Sequence, residues 1–281
     1  MNSAGTFDRT GAKLRRELTA KRIAIGVVVG ILGIASIANP LALAAVIAAI
    51  ALAGAVEFSN LARRAGGEVS LPIALVACAA YPTLAYFNLL PRYESALLAL
   101  LVLASFVAAL PASLERFDGR VAMTVLASLY LGKLLSYFII LRALPHGARL
   151  VVWIVLVVVL TDTVGMIAGL RFGHRPLAPR LSPGKTWEGA IAALATAGVA
   201  GGAIFWILGV PGPLWVAAAL PLSVSIAAQF GDLVESALKR NAQVKDSGHL
   251  LASHGGVLDR FDSYIFAGVV GYAVLLLAGM R

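Results

Sequence analysis

Cysteine is all but missing: Cys78 is the only one in 281 residues. A lone cysteine excludes both a disulfide and a thiolate metal cluster within one chain. Charge is scarce as well, with 13% Asp, Glu, Lys and Arg against 60% hydrophobic residues. A soluble domain of this size could not hide so much apolar surface. Composition therefore excludes a soluble globular protein and leaves an integral membrane protein. Linkers rich in Ser and Gly, low-complexity tracts and internal repeats are also lacking, so the expectation is one membrane domain, residues 23–281, preceded by a basic tail, residues 1–22. The missing repeat also argues against a transporter built from inverted halves, the reading from a different class.

What is present is a series of apolar runs, each about as long as the 17–25 residues a spanning helix needs. They fall at 23–39, 41–61, 71–88, 95–113, 121–142, 150–170, 187–208, 214–238 and 263–280. The expected fold is an all-α polytopic membrane protein with about nine transmembrane helices. Basic residues fix its orientation, because Lys and Arg accumulate in short cytoplasmic loops. With the N-terminus inside, Arg63, Arg64, Arg116, Arg120, Arg171, Arg175, Arg180, Lys185, Lys239, Arg240, Lys245 and Arg260 all fall on the cytoplasmic side. Arg92, Arg142, Arg149 and Arg281 are left outside. The net charge of +9 is thus mainly a topology signal, aided by attraction to anionic membrane lipids, and nucleic acid is not an expected partner. Residues 23–148 carry little chemistry and read as scaffold helices; residues 149–281 hold the polar blocks and read as the catalytic half.

The densest polar block runs from Ser236 to Asp262 between two apolar runs. Lys239, Arg240, Lys245 and Arg260 are cationic donors suited to phosphates, and Asp232, Asp259 and Asp262 offer the hard oxygen ligands magnesium prefers. Gln229, Asp232, Ser236 and Lys239 recur at helical spacing and share a face. An aspartate in a spanning helix costs about 2.5–3.5 kcal/mol, so Asp232 needs a cation, a partner or a wet cavity. A buried pair with a lysine that only locks helices together would also meet that need. Glu235, one turn on, is either a supporting group or faces the cytosol. Asp259 and Asp262 are either metal ligands or caps at a helix start. His254, Gly255 and Gly256 precede them, and paired glycines can aim backbone amides at an anion, or simply turn the chain.

A second block, Ser182-Pro-Gly-Lys-Thr-Trp-Glu-Gly189, contains Gly-Lys-Thr but no P-loop, because Pro179 stands where that motif needs glycine. What survives is a helix start at which free amides, Lys185 and the Ser182 and Thr186 hydroxyls could hold phosphate oxygens, or a plain capped helix. Asp162 lies inside an apolar run with Gly165 and Gly169 along the same side, small residues that admit another helix or a substrate. Lys133 is similarly deep, with Asp162 and Glu57 as candidate partners.

These blocks resemble the phosphatidate cytidylyltransferases, also called CDP-diacylglycerol synthases. The resemblance rests on Ser236-x-Leu-Lys-Arg240, Lys245-Asp-x-Gly248 and His254-Gly-Gly-Val-x-Asp-Arg-Phe-Asp262. Gln229-x-Gly-Asp-Leu-x-Glu-Ser236, Ser182-Pro-x-Lys-Thr-Trp-Glu-Gly189 and Asp162 with Gly169 and Gly173 extend it, and together these blocks cover roughly the last 120 residues. Ala252-Ser253, Gly165-Met166 and Gly184 depart from the family pattern. The resemblance implies transfer of a cytidylyl group from CTP to phosphatidic acid, with magnesium at Asp232, Asp259 and Asp262. It also implies a second cation, supported by Asp262 or Asp162, and a homodimer. Lys185, Lys239, Arg240, Lys245, Arg260 and His254 would then serve the reacting phosphates, and Ser182, Thr186, Ser236, Gly255, Gly256 and Asp162 the substrates. Another membrane lipid phosphate is the alternative acceptor. A bacterial inner membrane with the site on its cytoplasmic face is the expected location.

Overall fold

Apolar periodicity predicts helices almost throughout, and a computed structural model, describing residues 33–248 and 255–280, is built almost entirely of them. In chain order these are α1 (Pro40–Arg64), α2 (Leu71–Tyr86), α3 (Leu90–Ala109), α4 (Leu114–Ala143) and α5 (Gly147–Phe172). A hairpin of β1 (Pro176–Ala178) and β2 (Ser182–Thr186) follows, then α6 (Trp187–Ile207), α7 (Leu214–Asn241) and α8 (Leu258–Leu277). All but α2, making 7 helices, are long and apolar enough to cross a membrane; α2 is apolar but only 16 residues long. The expected runs from 41–61 onward each coincide with a helix. Most of the run 23–39, the tail 1–22 and His254 lie outside the described residues.

Boundaries differ from the apolar runs where a helix continues into polar sequence. Helix α4 begins at Leu114, well before the run at 121–142, because Leu-Glu-Arg-Phe-Asp-Gly-Arg forms its first turns with Glu115 near the N-terminal end. Acidic residues favour that end of the helix macrodipole. Start signals elsewhere follow ordinary rules. The Asn39 side chain accepts hydrogen bonds from the amides of Leu41 and Ala42, with Pro40 at the first helical position. Helix α4 contains a π-helical segment, Ser128–Lys133, and α6 another, Ala197–Gly201.

Glycine permits the closest helix approaches. A side-chain carbon at Gly132 would press on the α2 backbone at Ala77 and Cys78, and one at Gly189 would sit 2.5 Å from the carbonyl of Gly165. The small residues beside Asp162 therefore admit α6. With no hydrophobic driving force between helices in lipid, such contacts and interhelical hydrogen bonds carry the packing. The buried Trp153 indole illustrates the second kind, donating to the Gly201 carbonyl at 2.8 Å.

Connections meet at two opposite ends of the bundle. At one, Glu68 after α1 pairs with Arg116 and Arg120 of α4, and Arg240 at the end of α7 donates to Leu181 in the hairpin turn. At the other, Arg142 donates to the carbonyls of Ile37 and Ala38, and Arg149 to that of Gly209. Among the described residues, the hairpin and the polar segment that follows α7 gather at the first end.

Candidate active site

Helices α7 and α8 cross most closely at Gly231, where a side-chain carbon would come within 2.5 Å of the Asp262 carbonyl oxygen and 3.0 Å of the Ser263 Cα. That crossing sets Asp232, the next residue on α7, beside Asp262 on α8. Glu235, one helical turn beyond Asp232, completes a group whose ligand oxygens all lie within 4.8 Å of one another. Glu235 is fully buried and Asp262 is 7% exposed. Among the described residues Glu235 Oε1 has no hydrogen-bond donor. Asp162 of α5 faces the same space, near Ser263 and in the field of Asp232 and Lys185.

Lysines are set into this acidic group from two directions. Lys185, on β2, forms an ion pair with Asp232 and so ties the hairpin to α7. Lys239 pairs with Glu235 on its own helix and with Asp259 of α8 at 2.7 Å. Asp259 thus sits one turn before Asp262 and is held by the protein itself. Its Oδ2 accepts from the Gly256 amide at 2.7 Å and from the Ser247 amide at 3.0 Å, with the Ser247 hydroxyl also at 3.0 Å. Ser236 lies 3.5 Å from Asp232 Oδ1, consistent with the shared face read from spacing.

Of the glycine pair, Gly256 aims its amide at an anion, the chain's own Asp259 carboxylate. Gly255 has φ of +81°, a conformation that glycine adopts without strain. Gly256 packs so tightly against Ser247 and Glu57 that any side chain would collide. The amides of Val257 and Leu258 donate to Glu57, each at 2.9 Å, and the Ser247 hydroxyl lies 3.1 Å from Glu57 Oε2. Glu57 comes from α1, is 2% exposed, and caps the N-terminus of α8 from about 200 residues away. An anion there is stabilised by the free amides and by the macrodipole. Of the two glycines expected to bind substrate, Gly256 donates its amide to Asp259 and Gly255 makes the left-handed turn before it.

Other expected residues fall as follows. Thr186 caps α6, its hydroxyl accepting from the Gly189 amide at 3.2 Å, while Ser182 lies in β2, paired with Ala178. The helix-cap reading of this block is therefore met, and the only basic side chain it sends to the acidic group is Lys185. Arg240 bonds the carbonyls of Leu181 and Val244 rather than the acidic group. Lys245 lines a separate cavity, and Arg260 is exposed on the first turn of α8. Lys133 pairs with neither Asp162 nor Glu57 but with Glu94 of α3. Its position in the sequence showed only that it needed a carboxylate, and Glu94 lies within reach because α3 packs against α4.

Two functional candidates were under-read in the sequence. Glu235 carried a usable signal, its three-residue spacing from Asp232. Glu57 carried none beyond being an acid at the end of an apolar run, because its partners are backbone amides distant in sequence.

The arrangement is a helical membrane bundle with an acidic, cation-ready cluster and lysines at one end. The model of the cytidylyltransferase family matches residues 20–278, and the chain belongs to that family. Among curated relatives, the phosphatidate cytidylyltransferase of Bacillus subtilis is 38% identical over 188 residues, 66% of this chain and 68% of that protein. Its counterpart from Helicobacter pylori is 35% identical over 224 residues, 79% of each chain. The Brucella abortus enzyme is 43% identical over 128 residues, just under half of each.

Proposed function

We propose that this protein transfers the cytidylyl group of CTP to phosphatidic acid, giving CDP-diacylglycerol and pyrophosphate. The observation that carries the reading is the group of half-buried Asp232 with buried Glu235 and Asp262 at the α7–α8 crossing of a chain matched almost end to end by the cytidylyltransferase family. The names of the relatives supply the lipid acceptor.

The donor set fits magnesium: hard carboxylate oxygens, one of them buried without a hydrogen-bond donor among the described residues, in a site with more acids than lysines. Bound there, the ion would neutralise phosphate charge and draw electrons toward the leaving group. Asp232, Asp262 and Glu235 are the proposed ligands at the cluster, with Asp259 joining if Lys239 moves aside, and Asp162 supports a second cation. The residues' own contribution is placement. The phosphate oxyanion of the lipid attacks the α-phosphorus of CTP, forming a new phosphorus–oxygen bond. The bond to the β-phosphate breaks, and its electron pair leaves on pyrophosphate. An oxyanion nucleophile requires no strong general base, so positioning and charge neutralisation dominate. Lys185, carried on the hairpin rather than on a spanning helix, would exchange Asp232 for a phosphate oxygen when substrate binds. Lys239, locked between Glu235 and Asp259, keeps α7 and α8 in register.

A cytosolic nucleotide and a membrane-held lipid require the polar end of the bundle to face the cytoplasm, as the charge asymmetry indicates. In a bacterial cell this places the protein in the inner membrane. The test is incorporation of labelled CTP into lipid by purified, detergent-solubilised protein given phosphatidic acid, with and without magnesium. Magnesium-dependent labelling, lost in Asp259→Asn, is the expected result. Labelling with a different lipid phosphate but not with phosphatidic acid would overturn the choice of acceptor.

A further inference from the structure

Behind the Glu57–Ser247–Asp259 contacts lies a cavity of about 790 Å³ between the C-terminal end of α1 and the segment that follows α7. Its lining includes Asn60, Arg63, Arg64, Lys245, Asp246 and Ser247. Pockets that hold small molecules and cofactors span roughly 300–1,000 Å³, so this one accommodates a nucleotide. Arg63 donates to Asn60 Oδ1 at 3.2 Å, and among the described residues none of Arg63, Arg64 and Lys245 forms an ion pair. Elsewhere at this end of the bundle, Arg116 and Arg120 share Glu68, and Lys185 and Lys239 have carboxylate partners. Three cations against one acid, Asp246, in a concave wall attract a polyanion, and arginine's planar fork suits phosphate oxygens.

Resting on the function proposed above, we infer that this cavity seats the polyphosphate of the nucleotide, gripped by Arg63 and Arg64 from α1 and Lys245 from the α7–α8 connection. Two phosphate-bearing molecules meet in the reaction, and their chemistry separates them. The cavity opens at the end of a spanning helix among exposed charged residues, as a water-soluble ligand needs. Lys185 and the hairpin, packed beside the apolar α5 and α6, are then left for the lipid phosphate. Ser247 belongs to both regions: it lines the cavity and contacts Asp259, which pairs with Lys239 and through it with Glu235 of the acidic cluster. The cavity is thus linked to that cluster through the Ser247–Asp259–Lys239 contacts, the side from which a nucleotide anchored by its polyphosphate would have to extend. The assignment also gives α1 a role in substrate binding, outside the polar blocks of the C-terminal half.

The experiment compares wild-type protein with Arg63→Gln/Arg64→Gln, using Arg64→Gln alone if the double variant does not give a monodisperse preparation. Each is tested by equilibrium binding of labelled CTP with magnesium and no lipid, and by initial rates at varied CTP and phosphatidic acid. The expected result is CTP binding weakened about tenfold, with a matching rise in KM for CTP and a change of under about twofold in KM for phosphatidic acid. Unchanged CTP binding in a folded variant overturns the inference, as does a rise confined to the KM for phosphatidic acid. The two proposals fail separately. Wild-type protein that binds CTP through these arginines but makes no CDP-diacylglycerol keeps the cavity assignment and refutes the reaction; product formation indifferent to the arginines does the reverse.

Discussion

Lys133 and Lys239 are both carried on membrane helices, and they differ in company. Lys133 meets a single acid, Glu94, in an ion pair between α4 and α3. Lys239 sits between Glu235 and Asp259 in a region that also holds Asp162, Asp232 and Asp262, with Lys185 as the other lysine. One pair is balanced; the other region has an excess of carboxylates. Burying unbalanced charge is costly unless something compensates it. A balanced pair satisfies a structural need and leaves nothing over, whereas surplus acid is a standing demand for a cation. Charge balance, rather than the mere presence of ionisable residues in the membrane, separates the two regions.

The contrast is broken most directly at the surplus. Asp262→Asn keeps shape and removes one negative charge from the cluster, and turnover of phosphatidic acid is expected to fall about 10²–10³-fold, as when a preorganised electrostatic group is lost. Titration of the remaining activity with magnesium should show a higher requirement. Near-normal rates at ordinary magnesium would show that the cluster is structural, like the Lys133 pair.

A smaller effect is expected one step away from the cluster. Glu57→Gln keeps the side-chain length but loses the charge that faces the amides of Val257 and Leu258, and its amide group cannot accept as both carboxylate oxygens do. Hydrogen bonds to a charged group contribute about 1.5–3 kcal/mol, so thermal unfolding in detergent should move down and kcat should fall about 10-fold. Because Glu57 acts through Ser247 and the start of α8, the loss should lie in kcat more than in the KM for CTP, and Glu57→Ala should be worse than Gln. A variant that lowers stability alone, with kcat intact, would reduce Glu57 to a fold-stabilising cap.

The sequence revealed most where one element carries the signal. Helices read from apolar length were right in place and wrong mainly at their ends, as with α4, because hydropathy does not register a helix that runs on into charged turns. Asp232 was legible because a spanning helix makes an aspartate expensive, and the i, i+3 and i, i+4 spacings on α7 located the face it shares with Ser236 and Lys239; Asp262 was legible as an acid three residues from Asp259 at a helix start. Lys185 was legible as a cation near a helix start, but not as the partner of Asp232, since that depends on the hairpin folding back over α7. Glu57 and Glu94 were illegible as partners for the same reason: each is one acid in an apolar stretch, and only the packing of distant helices shows whether it meets amides or a lysine. Gly165 and Gly169 had two meanings in sequence, ligand access or helix contact, and a side-chain carbon on Gly189 would lie 2.5 Å from the Gly165 carbonyl and 3.2 Å from the Gly169 Cα, which decides for helix contact.

The smallest expected effect concerns the balanced pair. Removing both charges together, as Lys133→Met with Glu94→Gln, leaves neither an orphan acid nor an orphan base, and activity should stay within about threefold of wild type, since well-packed neutral groups often replace an ion pair without loss. Removing only one partner should destabilise the protein more than removing both, because the remaining charge then has no counter-ion among the described neighbours. Thermal unfolding of the two single variants and the double completes the cycle, and a coupling of about 0.5–3 kcal/mol is the range contacting residues show. The same cycle on Lys239 and Asp259 should not close in this way. Removing both there takes away one charge of each sign and leaves the carboxylate surplus unchanged, but it also frees Glu235 from its lysine and α8 from its tie to α7. Activity should therefore stay low in that double variant even if stability returns. If the Lys133 and Lys239 cycles instead gave the same outcome, charge excess would lose its standing as the mark of the active region.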